Sequence, residues 1–168
     1  AAGAVAVSPA VDVTVSDNNT NATIGAETVK AKDDVRVIAN ASEDILLVGV
    51  GLAGGTVGVG AGVNVLSLNG GTHATVGGVV RAGGDLVIRA NDTTDVTIIS
   101  GGLGVGFVGV GAGVGVLVID KDTSAGIADG ADVTALGNGT GESVRNGEIV
   151  DDGDGGRTFG DTTAHGVI

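Results

Sequence analysis

The strongest chemical signal in this sequence is a run of closely spaced carboxylates near its C-terminal end. Asp151 and Asp152 are adjacent, Gly153 separates them from Asp154, and Asp161 follows shortly after Phe159. Carboxylate oxygens on a flexible loop can wrap a hard cation, and calcium binds through oxygen ligands. The spacing fits neither the EF-hand loop nor the Gly-Gly-x-Gly-x-Asp calcium-roll repeat. Two interpretations therefore stand, a calcium site and a solvated loop held open by charge repulsion. No other cofactor is required.

A second signal is a set of asparagines in Asn-x-Ser/Thr sequences, which are acceptors for N-linked glycans. They are Asn18, Asn21, Asn40, Asn91 and Asn138. We predict that all five lie in turns, where a glycan could be attached from outside. Turns rich in Asn and Thr also generate such sequences by chance, so these asparagines are candidates on sequence grounds alone.

Catalytic residues are not recognisable in the sequence. There is no cysteine, and neither His73 nor His165 has a nucleophile at a motif spacing. His73 aligns with Asn21 and Ser124 of the neighbouring repeats and is expected at an exposed turn. Polysaccharide-cleaving β-helices group Asp, Arg and Lys on one face, whereas here Arg36, Arg81 and Arg89 have few carboxylates nearby in sequence, namely Asp33, Asp34 and Asp85. The sequence therefore predicts no enzyme.

Composition and charge exclude several classes of partner. Among 168 residues there are 34 glycines, one proline and two phenylalanines, and the formal net charge is −12. Nucleic acids and anionic membrane surfaces are bound by clustered Lys and Arg, so neither is an expected partner. With so few aromatic residues, a core must be built from Val, Ile, Leu and Ala.

The apolar residues alternate with a period of two, which indicates strands. Val57, Val59 and Val63 alternate with glycines, and the same pattern returns from Val108 to Val116. Two long uncharged stretches, 45–80 and 100–119, could suggest membrane helices. Their many glycines and β-branched valines disfavour helix, so we predict no membrane span and expect aliphatic side chains to stack in ladders inside the protein.

Internal repeats organise the chain. Gly60–Leu66 recurs 51 residues later as Gly111–Leu117, and Thr72–Val76 matches both Thr20–Ile24 and Thr123–Ile127. Short segments follow the same order in three copies, at Val29–Ala31, Val80–Ala82 and Val133–Ala135. A repeated unit that cannot bury its apolar face alone is typical of a solenoid.

These repeats predict an all-β fold, a parallel β-helix (β-solenoid) built from three repeats with about two coils in each. The chain is expected to form a single solenoid segment, 1–168, of a longer protein, with repeats at about 1–50, 51–102 and 103–168. An acidic, aperiodic insertion occupies about 136–164, in the turn before a strand at Gly166–Ile168 that resembles Leu86–Ile88.

The glycine face of the strands allows two interpretations. The glycines either face another strand of the same coil or form a bare stripe on which a second solenoid packs. Self-association is therefore a predicted partnership, through the solenoid ends or through the glycine-faced strands, which contain Gly58, Gly60, Gly62, Gly109, Gly111 and Gly113. An uncapped last coil would expose a strand edge capable of pairing.

Three motifs give the chain a resemblance to a known family. They are the Val/Gly strand at 57–68, the Thr-x-Ala-x-Val/Ile-Gly element at 20–25 and 72–77, and the strand at 84–90. Over about 135 residues the pattern resembles the filamentous-haemagglutinin-like passengers of large bacterial adhesins exported by type V secretion. Pro9 in a strand and the acidic insertion depart from it.

The resemblance implies an extracellular or outer-membrane-surface location and a non-catalytic role as a stalk segment. A self-assembling fibre subunit is the alternative function. A carbohydrate-binding or polysaccharide-cleaving β-helix is the less favoured third. The host or cell-surface ligand is not identifiable from the sequence.

Overall fold

The computed structural model describes residues 4–168; Ala1, Ala2 and Gly3, which belong to the first predicted repeat, lie outside this range. The described chain contains strands and no helix, and none of it forms an apolar helix that could cross a membrane. The strands are β1 (Val5–Ile24), β2 (Thr28–Ala31), β3 (Val35–Gly54), β4 (Val57–Val76), β5 (Val79–Ala82), β6 (Leu86–Val105), β7 (Val108–Ile127), β8 (Asp132–Ala135), β9 (Glu142–Asp151) and β10 (Arg157–Ala164).

The strand order confirms the predicted parallel β-helix. Equivalent strands of successive repeats lie side by side, in the orders β1-β4-β7, β2-β5-β8 and β3-β6. In the short sheet Val29 pairs with Val80, and Val80 pairs with Val133, both in parallel. Each coil therefore satisfies the backbone hydrogen bonds of the next one.

The predicted coil count is wrong, because one repeat makes one coil. Val35 N–H donates to Asp85 O, and Asn91 donates to Asn40 across a sequence separation of 51 residues. A coil of about 25 residues would have brought together residues half as far apart. The coil is long because each repeat contains two strands of 20 residues and one of 4.

The chain divides into two compact units, and each long strand contributes residues to both. The second unit comprises residues 20–40, 72–91 and 123–168. Its core is aliphatic and is enclosed by three sheets. Its buried members are Val35, Val37, Ala39, Ala74, Val76, Val80, Ala82 and Leu86. Small β-branched and alanine side chains suffice because like residues stack on like residues from coil to coil.

The first unit comprises residues up to 19, 41–71 and 92–122. Two sheets face each other in it, and the buried residues between them are Leu47, Leu66 and Leu68, with Ile45, Val96 and Ile98 packed alongside. Asn64 is also buried, and its amide donates to Ile99 O at 2.8 Å and Ser100 Oγ at 2.9 Å.

Beyond these leucines the interior of the first unit is made of glycines. A Cβ atom built on Gly58 would lie 2.8 Å from Ala53 O and 2.9 Å from Val105 N, closer than real Cβ atoms approach a backbone. Sheets normally stand about 10 Å apart because side chains fill the gap. Here backbone packs against backbone, so the glycines face strands of their own chain, as the first interpretation predicted.

The valines that alternate with these glycines lie on the outside, which contradicts the expectation of interior valine ladders in this segment. In β4 the glycines from 58 to 62 are buried and the valines from 57 to 65 are half-exposed. Val108 and Val110 of β7 are exposed by 53% and 49%. Leu66 and Leu68 occupy the interior instead, because a branched side chain at the glycine positions would meet the backbone of the facing sheet.

The insertion is a β-hairpin and not the predicted aperiodic loop. β9 and β10 pair antiparallel, with Arg157 opposite Asp151 and Ala164 opposite Glu142. The register shifts between Phe159 and Asp161, where β9 carries extra residues around Gly147, whose φ is +82°. After the hairpin the chain rejoins the solenoid, because Val167 bridges in parallel to Leu86. Where a strand was predicted, at 166–168, the structure has this isolated bridge, and Ile168 N–H donates to Leu86 O at 2.9 Å.

Candidate functional site

The hairpin is fixed to the solenoid by one buried carboxylate. Asp85 is 2% exposed. Its Oδ1 accepts a hydrogen bond from Gly166 N at 2.7 Å, and its Oδ2 accepts one from Gly141 N at 3.2 Å. Gly141 and Gly166 lie just outside the two ends of the hairpin and both have positive φ, at +79° and +91°. Asp85 therefore holds both ends of the insertion together.

The same interaction continues a ladder along the solenoid. In the preceding coil Asp34 Oδ1 accepts the Asp85 N–H at 2.9 Å, as Asp85 accepts the Gly166 N–H in the next coil. A carboxylate accepting backbone amides is a strong hydrogen-bonding partner, and it satisfies donors that a corner would leave unpaired.

Ion pairs attach the first residue of the hairpin to the outer face of β3 and β6. Glu142 Oε2 lies 2.8 Å from Arg36 Nη2, and Glu142 Oε1 lies 3.8 Å from Arg89 Nη2. The shorter contact with Arg36 compensates most of the charge of Glu142, so Arg89 keeps much of its capacity to bind another anion.

An open cleft of about 620 Å³ lies between this face and the hairpin. It is lined by Arg89, Asn91, Ser143, Val144, Arg145 and Asp161. Its volume is within the range of small-molecule sites, and its lining is mostly polar. The cleft combines two guanidinium groups, one carboxylate, an amide and a hydroxyl.

Arg145 is held beside the cleft by an aromatic contact. Its guanidinium carbon lies 5.4 Å from the centre of the Phe159 ring, on the neighbouring strand of the hairpin. Stacking on an aromatic face orients a guanidinium without neutralising its charge. Within residues 4–168 no carboxylate oxygen lies within 4 Å of the Arg145 nitrogens.

The predicted calcium ligands lie on this hairpin but are not brought together. Asp151, Asp152 and Asp154 are at its tip, whereas Asp161 lies nearer its base, opposite Arg145 in the strand register. At the tip Asp152 Oδ1 accepts the N–H groups of Asp154 and Gly156, at 3.0 and 2.8 Å. Such Asx-type bonds order a turn without a metal.

In the described part of the chain, no three His, Cys, Asp or Glu side chains are close enough together to hold a metal ion. The Asp151 and Asp152 carboxylates accept backbone N–H groups at the tip, and calcium binding there stays a prediction.

Four of the five candidate glycosylation sites lie in strands and not in the predicted turns. Asn18 and Asn21 lie in β1, Asn40 in β3 and Asn91 in β6, and only Asn138 lies in a loop. All five are exposed. Asn91 Nδ2 donates to Asn40 Oδ1 at 2.8 Å, so a glycan on Asn91 would compete with a bond between coils. Whether any is modified stays untested.

The other singled-out polar residues bridge neighbouring coils. His73 lies in β4 and not in a turn, and its Nδ1 is 2.8 Å from Ser124 Oγ. Arg81 forms an ion pair with Asp132 and donates to Asp132 O at 2.7 Å. A second hydrogen bond, from Arg81 to the Asp132 carboxylate, holds the pKa of Asp132 below its usual value. His165, at the end of the insertion, is exposed.

A buried ion cluster in the first unit is not among the sites predicted from the sequence. Lys121 lies within β7, and its side chain is 12% exposed. Its Nζ is 2.6 Å from Glu43 Oε2 and 2.9 Å from Asp92 Oδ1. The alternation of the strand does indicate its position. Lys121 follows Leu117 and Ile119 at intervals of two residues, so its side chain lies on the same, inward face of β7.

The cluster shifts the pKa of its members toward the charged forms. Hydrogen bonds from Lys121 and then Asn18 hold the pKa of Glu43 below its usual value. Burial works against the charge on Lys121, but the hydrogen bonds with Glu43 and Asp92 outweigh it and raise the pKa of Lys121. Glu43 and Lys121 are therefore charged across the physiological range, and the ion pairs of Lys121 link β7 to β3 and β6.

The fold and these sites define a class, that of parallel β-solenoid repeat proteins with a hairpin inserted at one corner. Comparison with protein-family models, with curated protein sequences and with solved structures finds no match in any of the three. The function is therefore argued from the chain's own residues.

Proposed function

We propose that this chain is a structural β-solenoid segment of an extracellular bacterial adhesin, a rigid spacer that does no catalysis. One observation carries the proposal, namely that residues of successive coils are linked at a constant separation of 51 positions. Asn40 with Asn91, His73 with Ser124 and Arg81 with Asp132 each link residues 51 positions apart. A structure in which every coil is a template for the next grows by a fixed increment, and this is what a spacer requires.

The spacer function is tested by changing the number of coils. Inserting further copies of residues 51–101 between the second and third repeats should lengthen the particle by about 4.8 Å per added coil, the spacing of adjacent strands. Small-angle scattering of chains with two, four and six added coils measures this increment. Chains that become wider or disordered, and not longer, would refute it.

The extracellular location is tested separately. Antibodies against this chain should label intact, unpermeabilised cells of the source bacterium. Labelling that requires permeabilised cells would contradict the surface location and leave the spacer geometry unaffected.

A second candidate function, end-to-end assembly into a fibre, is favoured by the third coil. Leu66 and Leu68 are fully buried in the second coil, whereas their equivalents Leu117 and Ile119 are exposed by 44% and 49%. β7 is also an outer strand of its sheet. An open strand edge beside uncovered aliphatic residues can pair with another chain. Of the predicted glycine face, Gly58, Gly60 and Gly62 are buried in β4, whereas Gly109, Gly111 and Gly113 are exposed in β7. The surface that we propose for self-association is therefore β7 at this end, and not the glycines of β4.

Electron microscopy over a concentration series tests the assembly. Filaments of uniform width should form, and Leu117→Ser should abolish them. Val118→Ser is the matched control, because Val118 is exposed to a similar extent, 52%, on the opposite face of the same strand. Particles that remain separate at every concentration, or equal effects of the two substitutions, would exclude end-to-end assembly through this surface.

A further inference from the structure

We propose that the cleft beside the hairpin binds a carboxylated saccharide, such as a uronic acid within a polysaccharide. The inference starts from where cationic side chains occur in an acidic chain. The protein has 20 acidic and 8 basic residues, yet four of its five arginines lie on the hairpin or on the solenoid face beside it. They are Arg36 and Arg89 on the solenoid face, Arg145 on β9 and Arg157 on β10.

The repeat itself does not require these arginines. One coil away, the position of Arg89 is occupied by Ile38, and the position of Arg36 is occupied by Val87. Ile38 is 38% exposed and Val87 is 2% exposed, so both positions accept aliphatic residues in the same solenoid. β3 and β6 therefore each carry one arginine on this face, at positions that are not equivalent in the repeat.

The charges in the cleft fit a ligand with one negative charge. The lining of the cleft carries two guanidinium groups, Arg89 and Arg145, and one carboxylate, Asp161. Outside it, Glu142 lies between Arg36 and Arg89, and Arg36 is also 3.8 Å from Asp34. A guanidinium binds a carboxylate through two parallel hydrogen bonds, so either arginine can hold such a group. A polyanion is disfavoured because the rest of the chain, with a net charge of −12, would repel it.

The other lining groups fit the hydroxyls of a sugar. Asp161 accepts hydrogen bonds, Ser143 and Asn91 both donate and accept, and Val144 offers an apolar wall to C–H groups. A ligand with one carboxylate and several hydroxyls uses all of these groups, whereas a simple carboxylic acid uses only the arginines. The open cleft would accept an internal residue of a chain as well as a free monosaccharide.

The test is titration of the full chain with a trisaccharide whose middle sugar is galacturonate between two galactoses and, as the neutral match, tri-galactose, followed by NMR and calorimetry. We expect the singly charged trisaccharide to bind, with amide shifts at Asn91, Ser143, Val144 and Asp161, and tri-galactose to bind at least tenfold more weakly. Free galacturonate tests whether one sugar suffices; weaker binding than the trimer would indicate an internal site on a polysaccharide.

Substitutions identify the cleft as the site. Arg89→Gln and Asp161→Asn should each weaken binding about tenfold, the loss of one charge-assisted contact. Arg157→Gln removes a guanidinium from β10 outside the cleft and should leave affinity unchanged. Retained hairpin amide protection in each variant separates lost binding from lost folding.

Equal affinity for the neutral and acidic trisaccharides would overturn the proposal. So would shifts confined to residues outside the cleft, or binding of an Asp/Glu-rich peptide there in the absence of saccharide binding. None of these results bears on the spacer function, which depends on the coil increment alone.

Discussion

Replacing Asp85 by Asn should release the hairpin while leaving the solenoid folded. The buried carboxylate accepts one backbone N–H from each end of the insertion, at 2.7 Å from Gly166 and 3.2 Å from Gly141. An asparagine has the same size but only one acceptor oxygen. It can keep the shorter bond to Gly166, and its amide N–H₂ then faces the Gly141 N–H, donor against donor.

The magnitude follows from this exchange. A hydrogen bond to a charged group contributes about 1.5–3 kcal/mol, and a buried donor left unpaired costs about 1–3 kcal/mol. A loss of about 2–3 kcal/mol in the free energy of hairpin opening corresponds to amide exchange faster by roughly 30- to 150-fold, because about 1.4 kcal/mol is a factor of ten.

Hydrogen exchange measured by mass spectrometry resolves the effect by segment. Peptides covering 137–146 and 160–168 should exchange faster in the variant, and peptides of the first unit should not change. Asp33→Asn is the control, since Asp33 is an exposed neighbour of Asp34 in the preceding corner. Hairpin exchange within twofold of the parent, or an equal change in the control, would show that Asp85 does not hold the insertion.

Three further predictions concern the first unit. Gly60→Ala should cost about 2–3 kcal/mol or prevent folding, because a Cβ there would lie 2.7 Å from Leu103 N, whereas Gly54→Ala, with nothing within 4 Å, should be neutral in urea denaturation. Equal midpoints would contradict the glycine-packed interior. The lowered pKa of Glu43 stabilises the fold above the unfolded value of about 4.3, and this contribution is lost as the pH falls through the folded pKa. The raised pKa of Lys121 stabilises below about 10.4 and is lost as the pH rises through the folded pKa. Stability measured from pH 2 to 12 should therefore be flat between these limits, and Glu43→Gln should flatten the acid side. Lys121→Met should cost about 3–5 kcal/mol by removing the cation that lies between two buried carboxylates, and a loss no larger than that of an exposed lysine, Lys30→Met, would count against a stabilising role of this ion cluster.

The fold class could be predicted because repeats and a period of two are local properties of the sequence. The coil length could not, because the polar stretches Ser16–Asn21 and Asn91–Asp95 look like turns. They lie in the middle of strands β1 and β6. Pairing between coils satisfies their backbone, and their side chains bond to one another, as Asn19 does to Asp17. Turn propensity was outweighed by contacts about 51 residues away.

Which face of each strand is buried could also not be predicted from the pattern. Alternation separates valine from glycine but does not say which face is inside. The usual assumption that the larger apolar residue is buried holds at Leu66 and Leu68, and it fails where the facing sheet comes too close for a side chain.

The cleft was the part least accessible to sequence reasoning. Its residues come from β6 and from a hairpin whose alternation is broken by extra residues around Gly147. Asp85 meets Gly141 and Gly166 across separations of 56 and 81 residues. The sequence predicts a site at the acidic tip because its carboxylates are close together along the chain, whereas the arginines that line the cleft are far apart along the chain.

The glycine interior also determines how this protein can vary over evolution. Every change at Gly58, Gly60 or Gly62 adds at least a Cβ atom where a facing backbone already lies, so selection should remove almost all of them. The half-exposed valines beside them can be exchanged for other β-branched or polar residues at little cost. Related strands should therefore show the reverse of the usual substitution profile, with the smallest residues invariant and the large apolar residues free to drift.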